Sequence, residues 1–243
     1  MLRLLPFLEA DGPTQMALDE ALLEAARLPT LRLYAWLPAT LSLGYFQDFT
    51  AVVAQLPHPM PVVRRITGGG AIWHEHEVTY CLVGRLGCDG LPQRMRDCYG
   101  LLHGAILAAL GKRGAVVALQ PEDVGDRRYR AEPRCFASPA AADLVLCRGG
   151  KVLGSAGRDR GGRILIHGSL KLATNPWDGA VVAGCGLDAQ GAAAALVEGL
   201  SSALHLEPVA GEVEAAEHRA AQRIRQERYG DEAWVRERTG PRA

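Results

Sequence analysis

Two glycine pairs set narrow limits on how this chain can fold. Gly149-Gly150 and Gly161-Gly162 separate three short runs, Leu144 to Cys147, Val152 to Ala156 and Arg163 to Ile166. Apolar runs of this length bounded by glycine read as strands joined by tight hairpins, because such turns need dihedrals that glycine tolerates best. Hairpins impose antiparallel pairing. Leu31 to Trp36, Leu41 to Tyr45, Glu77 to Val83 and Ala115 to Leu119 also have strand character, and Pro61 to Arg65 leads into a further glycine loop. Helical spacing marks Thr14 to Arg27, opened by Pro13, with Asp19, Glu20 and Glu24 off its apolar face. It also marks Asp97 to Leu110, with Leu102, Ile106 and Leu110 in one stripe, then Ala192 to Ala203 and Glu212 to Tyr229. Strands in runs with helices interspersed indicate an α+β fold, a mixed or antiparallel sheet flanked by helices, and not a doubly wound one. The polar stretch Pro121 to Pro133 reads as an exposed loop.

With 27 basic and 27 acidic residues the 243-residue chain is formally neutral, which gives no general attraction to nucleic acid or to an anionic membrane surface. The charges from Glu212 onward are of both signs and suit a solvated helical face. The expected organisation is a catalytic domain over residues 1–205 and a C-terminal helical extension over 206–243. No apolar run reaches the length of a membrane-spanning helix, and the start, broken by Pro6, Glu9 and Asp11, is unlike a secretory signal. Six cysteines, at 81, 88, 98, 135, 147 and 185, include no Cys-x-x-Cys pair and no zinc-type spacing. Reduced thiols in a cytoplasmic, metal-free monomer are the expectation.

Four groups of residues could carry chemistry. Arg64-Arg65 lead into Gly68-Gly69-Gly70 and then His74. Three adjacent glycines cost backbone entropy that a chain accepts where the backbone must lie close to something; the loop could cradle an anion while the arginines hold a carboxylate or phosphate. A tight structural turn is the plainer reading. Lys151, followed by Gly154-Ser155, stands at the head of an apolar strand, where its charge would favour a neighbouring thiolate or bind an oxyanion; it could equally be a surface lysine. His167-Gly168 ends another strand and could be satisfied by backbone. Cys135 and Cys185 lie in loop-like contexts, and which of them nears Lys151 is open at this level.

Taken in order, these blocks resemble the lipoate–protein ligase and octanoyltransferase superfamily, related to the biotin–protein ligases. The resemblance runs from Thr14 to about Leu172 and rests on Met16-Ala17-Leu18-Asp19-Glu20, Leu41 to Gln47, the arginine–glycine–histidine loop, Glu77-Val78-Thr79-Tyr80, Lys151 with Gly154-Ser155-Ala156, and His167-Gly168-Ser169-Leu170. It implies an extended acyl tunnel, with Arg65, Gly68, Gly69 and Gly70 lining the acyl or adenylate site, His74 closing that loop, and Gly154, Ser155, His167 and Gly168 on the substrate-binding side. It implies Lys151 as the active-site lysine. One ligase-like octanoyltransferase group carries a cysteine in a Cys-Phe segment about fifteen residues before that lysine, which Cys135-Phe136 matches; another places it after the His-Gly strand, where Cys185 stands as the alternative. Gly70 is the ligase form of the third glycine position. The activity implied is transfer of octanoyl or lipoyl from acyl carrier protein, through a cysteine thioester, to a lysine of a lipoyl domain (glycine-cleavage H protein or dehydrogenase E2), with no cofactor. The alternatives are an ATP- and Mg-dependent lipoate ligase, and a non-catalytic binding protein on the same fold.

Overall fold

A computed structural model describes residues 1–126 and 128–239. The chain runs β1 (Leu2–Leu4), β2 (Leu8–Ala10), α1 (Gly12–Ala25), β3 (Thr30–Trp36), β4 (Thr40–Leu43), α2 (Phe49–Val53), β5 (Val62–Arg64), β6 (Ile72–His74), β7 (Glu77–Arg85) and α3 (Met95–Gly111). It continues with β8 (Val117–Leu119), β9 (Leu144–Leu146), β10 (Lys151–Arg160), β11 (Arg163–Lys171), α4 (Ala189–Leu204), β12 (Pro208–Ala210), α5 (Ala215–Ile224) and α6 (Glu232–Glu237). The α+β architecture expected from the sequence is present.

The main sheet has the order β12-β1-β3-β7-β11-β10-β9-β8, with β2 also on β3. From β3 to β8 every neighbouring pair is antiparallel, whereas β12, β1 and β3 run parallel. Both glycine pairs turn hairpins, β9–β10 and β10–β11, with positive φ at all four glycines. A small sheet, β5-β4-β6, stands apart and carries the glycine loop between β5 and β6.

The central strands bury both faces, so they lack polar alternation. Val78, Tyr80 and Leu82 of β7 join Leu102 and Ile106 of α3 and Leu196 and Leu200 of α4 in one core. Cys81 and Val83 join Met16, Ala21 and Leu22 of α1 in the other. The period of two along a strand assigns neighbours to opposite layers.

Several elements differ from the sequence reading. Asp11 caps α1 by accepting from Thr14 N at 2.8 Å, so the helix begins two residues before Thr14. Asp19 and Glu20, off the apolar stripe by spacing, are both buried. The sheet covers one flank of α1 and the C-terminal segment another. Asp19 pairs with Arg32 at 2.8 Å, while Glu20 holds Arg160 at 2.9 Å and the Tyr229 hydroxyl at 2.8 Å and also pairs with Arg228. Strands β10 and β11 extend well beyond the runs read from sequence, because Gly157 and Gly168 interrupt the β signal without interrupting the ladder. Over residues 206–239 the C-terminal segment is helical in α5 and α6, and its β12 pairs in parallel with β1. Its Trp234 is buried in the core built on α1. The helix read as Glu212 to Tyr229 begins at Ala215 and passes into a π-helical turn at Arg225–Tyr229.

Candidate active site

The sequence places Cys135 in a loop, and the structure shows what holds that loop. Ala71 N donates to Pro133 O at 2.7 Å and Cys135 N to Ala71 O at 2.9 Å, a parallel bridge between the glycine loop and the cysteine segment. Gln47 Nε2 donates to Pro133 O at 2.9 Å, while its own Oε1 accepts from Gly44 N at 3.0 Å. Cys135 then opens a short 3₁₀ turn whose next residue, Phe136, is buried. The Phe136 ring lies 5.1 Å from Lys151 Nζ and 5.2 Å from Lys171 Nζ, within cation–π range of both.

Lys151, the first residue of β10, is 2% exposed and is therefore no surface lysine. Its Nζ reaches Asp143 Oδ2 at 2.8 Å and lies 3.6 Å from Cys135 Sγ. Burial alone would depress the ammonium; the charges of Cys135 and Asp143 outweigh burial, and the Lys151 pKa is raised. The side chain folds back across Gly154, where an added Cβ would sit 2.4 Å from Nζ. A residue with a side chain at 154 would displace the ammonium.

The three glycines of the loop have three different reasons. A Cβ at Gly68 would meet nothing within 4 Å, so its place faces open space. Gly69 has φ +91°, in the left-handed region. A Cβ at Gly70 would come within 2.7 Å of Cys135 N and 2.4 Å of the Tyr129 ring, so the close approach of the cysteine segment demands glycine here. Arg65 shapes the loop from inside, donating through Nη2 to Gly68 O at 2.8 Å and Gly70 O at 2.7 Å, and through Nη1 to Ser42. Arg64 donates to the carbonyls of Gly44, Tyr45, Gln47 and Val235. Both arginines are thus engaged with backbone carbonyls, and Arg65 also lines the cavity.

The two histidines brace the site. His74 stacks on Trp36 with ring centroids 3.8 Å apart, contacts Glu77 Oε1 through Nδ1 at 2.6 Å and Ser42 Oγ through Nε2 at 2.7 Å. Burial, with the charges of Lys171 and Arg65, brings its pKa down to about 4 against the pull of Glu77, so the ring is neutral near pH 7. Nδ1–H then donates to Glu77, and Nε2 accepts from Ser42. Glu77 is itself held ionised: Lys171 at 2.5 Å and His74 outweigh its burial. His167 joins Asp19 Oδ2 of α1, at 2.9 Å, to Thr67 Oγ1 of the glycine loop, at 2.7 Å. Gly168, its neighbour, is packed against Ser155 and Tyr80, and Ser155 Oγ lies 2.7 Å from both the Tyr80 hydroxyl and His103 Nε2.

These groups surround a cavity of about 340 Å³. Cys135, Lys151 and Asp143 line one part of its wall, and Met16, Tyr34, Trp36, Ile72 and Ala156 give it apolar surface. The sequence-derived residues Arg65, Gly68, Gly69, His74, Gly154, Ser155, His167 and Gly168 all line it, and Gly70 adjoins it through Tyr129 and Cys135. Cys185 does not; it is buried in the core against α4, where burial pushes its thiol up. The roles of Asp143, Phe136 and Gln47 are absent from the sequence reading. A lysine buried at the head of a strand requires a carboxylate, but the choice of Asp143 is made by the β9–β10 hairpin. Among the described residues no group of three His, Cys, Asp or Glu side chains is placed to hold a metal ion, and no helix is long and apolar enough to cross a membrane.

The α+β fold thus encloses a partly apolar cavity with a thiol, an ammonium and a carboxylate together on its wall. The chain belongs to the lipoyl protein ligase A/B catalytic domain family, whose profile matches residues 11–183. It is 39% identical over 180 residues to octanoyltransferase LipM of Moorella thermoacetica, a match covering 71% of this chain and 66% of that protein. For octanoyltransferase LipM of Kyrpidia tusciae the identity is 37% over 187 residues, covering 72% and 67%. The match therefore spans about two thirds of the length of these relatives. Among solved structures, the fold is similar to a lipoate-protein ligase A bound with ATP (TM-score 0.78, 21% identity, 97% of this chain and 98% of that one). It is also similar to a bi-partite lipoate protein ligase of Thermoplasma acidophilum (TM-score 0.75, 21% identity, 96% and 95%).

Proposed function

We propose that the chain is an octanoyltransferase of protein lipoylation, moving an octanoyl group from acyl carrier protein through Cys135 to a lysine of a lipoyl domain. The observation that carries this reading is the 3.6 Å separation of Lys151 Nζ and Cys135 Sγ on the wall of a partly apolar cavity. Adenylate formation needs no protein nucleophile, whereas transfer through an acyl-enzyme does, and Cys135 is placed to serve as one.

Positive charge beside a sulfur favours its nucleophilic anion. The Cys135 thiolate attacks the donor thioester carbonyl, a new C–S bond forms, and the bond to the carrier sulfur breaks. The departing thiolate takes a proton from the Lys151 ammonium. Acylation removes the negative charge that Cys135 presents to Lys151, which eases that proton loss. The neutral Lys151 amine then accepts a proton from the acceptor lysine. The freed acceptor amine attacks the Cys135 thioester, the C–N bond forms, the Cys135 thiolate leaves, and the amide nitrogen releases one proton to solvent. The thiolate–ammonium pair is restored. This route requires neither ATP nor metal.

Intact-mass analysis after mixing with octanoyl carrier protein tests the reading. An octanoyl adduct on the native chain and on Cys185→Ala, absent from Cys135→Ala, is the expected result. An adduct that persists in Cys135→Ala removes Cys135 as nucleophile. Lipoyl-domain modification that needs ATP, Mg and free octanoate or lipoate, and survives in Cys135→Ala, establishes the ligase instead.

A further inference from the structure

A second cavity of about 580 Å³ opens beside the first. Its walls include Phe46, Gln55, Arg128, Arg130 and Pro133, and it shares Gly69 and Tyr129 with the inner cavity. Those two residues form the threshold between them. Gly69 contributes no side chain. Tyr129 has φ +52°, a left-handed conformation uncommon outside glycine that persists only where neighbours enforce it. Asp126 enforces it. Its carboxylate accepts from Arg128 N at 2.9 Å, Arg130 N at 2.6 Å and Ala131 N at 2.8 Å, so the loop wraps around one side chain. The wrap sets the Tyr129 ring at Gly70 and places Arg128 and Arg130, both exposed, on the outer wall. The carboxylate on this wall, Asp48, caps α2 by accepting from Ala51 N at 2.7 Å. Phe46, 76% exposed, adds an apolar edge.

A thioester whose acyl chain fills the inner cavity and whose carbonyl meets Cys135 has a route for its leaving group across this threshold. We propose that the outer cavity receives the arm of the acyl donor, an extended amide-containing thiol ending in a phosphate ester, with Arg128 and Arg130 holding the phosphate. Guanidinium groups suit phosphate because their donors match its oxygens in pairs. The proposal rests on the octanoyl-transfer reading and adds the residues that hold the donor's arm.

The test compares two small donors with the same thioester, octanoyl-pantetheine and octanoyl-4′-phosphopantetheine. Acylation is followed by intact mass across a range of donor concentrations. The native chain is expected to half-saturate at about tenfold lower concentration with the phosphorylated donor. In Arg128→Ala/Arg130→Ala that preference is expected to disappear. Equal half-saturation by both donors in the native chain overturns the proposal, as does a preference that survives in the double variant. A double variant that acylates normally from the phosphorylated donor but passes octanoyl slowly to a lipoyl domain also overturns it, and assigns the arginines to the acceptor. Acylation from neither donor, nor from octanoyl carrier protein, removes the transfer reading itself and this proposal with it.

Discussion

The Asp143 carboxylate lies 2.8 Å from Lys151 Nζ, on the ammonium that also faces the Cys135 sulfur. A buried cation shared between a carboxylate and a sulfur has its position fixed by both. The carboxylate is itself anchored, since Asp143 Oδ2 accepts from Ala140 N at 2.6 Å. Asp143→Asn keeps the shape and removes the charge. The expected outcome is slower acylation of Cys135, by about 10- to 100-fold, with a changed pH–rate profile. Removing one partner of a buried pair also costs stability, about 3 kcal/mol. The Lys151 pKa is raised on folding, so the part of stability linked to its titration is present below its ordinary value near 10.5 and is lost only as pH rises through the higher folded value. The destabilisation in Asp143→Asn is therefore expected to show at neutral pH. Unaltered acylation kinetics in a folded Asp143→Asn protein would rule out its positioning role.

Gly154 and Gly70 make a contrasting pair. An alanine at 154 meets the far end of the Lys151 side chain, whereas an alanine at 70 meets the backbone of Cys135. Gly154→Ala is expected to stay folded, with a melting temperature near the native one, and to lose about 100-fold or more in acylation rate because a small displacement of a catalytic group is costly. Gly70→Ala is expected to lose both activity and stability, the latter by about 1–3 kcal/mol from overpacking. Thermal melts and acylation rates on both variants separate the two cases.

How far the sequence disclosed this site follows from the same geometry. The glycine loop, Lys151, Cys135 and His167 are visible as residue types in unusual contexts, and the hairpin glycines fix the antiparallel half of the sheet. What stays hidden is contact across the fold. Nothing local to Asp143 marks it as the partner of Lys151, and nothing local to Arg65 shows that it donates both to its own loop at Gly68 and Gly70 and across to Ser42 of β4. The short strands β1, β2, β6 and β12 have three residues each, too few to show a period. Asp19 and Glu20 look like solvent-facing helix residues because what covers them comes from elsewhere in the fold: the sheet, through Arg32 and His167, covers Asp19, and Tyr229, some two hundred positions away, covers Glu20.

His74 gives the fold a dependence on acid. Its folded pKa is about 4 against an ordinary 6.5, so between these values the unfolded chain binds the extra proton and stability rises with pH. Going from pH 7 to pH 5 is expected to remove about 2 kcal/mol through this residue. Glu77 does not oppose the trend in this window, because its lowered pKa adds a loss only below about pH 4.5. Urea unfolding at the two pH values measures the change. In His74→Gln, which carries a donor toward Glu77 but does not titrate, the difference between pH 7 and pH 5 is expected to shrink. A native protein equally stable at both pH values would contradict the neutral assignment of His74.

Trp234 links the C-terminal segment to the glycine loop. Its Nε1 donates to Arg64 O at 2.9 Å, and Arg64 Nε donates back to Val235 O at 2.9 Å. Trp234 is 1% exposed, so Trp234→Ala leaves a cavity and an unanswered carbonyl, with an expected loss of about 3–5 kcal/mol. Because Arg64 immediately precedes Arg65, the variant is also expected to increase hydrogen exchange at Ile66 to Gly70, which reports the loop directly. Exchange there matching the native protein, in a variant that has lost stability, would show that the C-terminal segment supports the core without positioning the loop.

The cavity also sets an expectation for chain length. Its apolar wall includes Met16, Trp36, Ile72 and Ala156, and each methylene buried there contributes about 0.8 kcal/mol. Each methylene removed from an octanoyl donor is then expected to lower kcat/KM for Cys135 acylation about fourfold, and a hexanoyl donor to fall about 15-fold below octanoyl. Ala156→Leu places a larger side chain on the wall and is expected to penalise octanoyl more than hexanoyl, narrowing or reversing that preference. Small thioesters of four, six, eight and ten carbons on the native and Ala156→Leu proteins give the two profiles. Profiles of the same shape would mean that Ala156 does not border the acyl chain, and the chain would have to lie along another part of the wall.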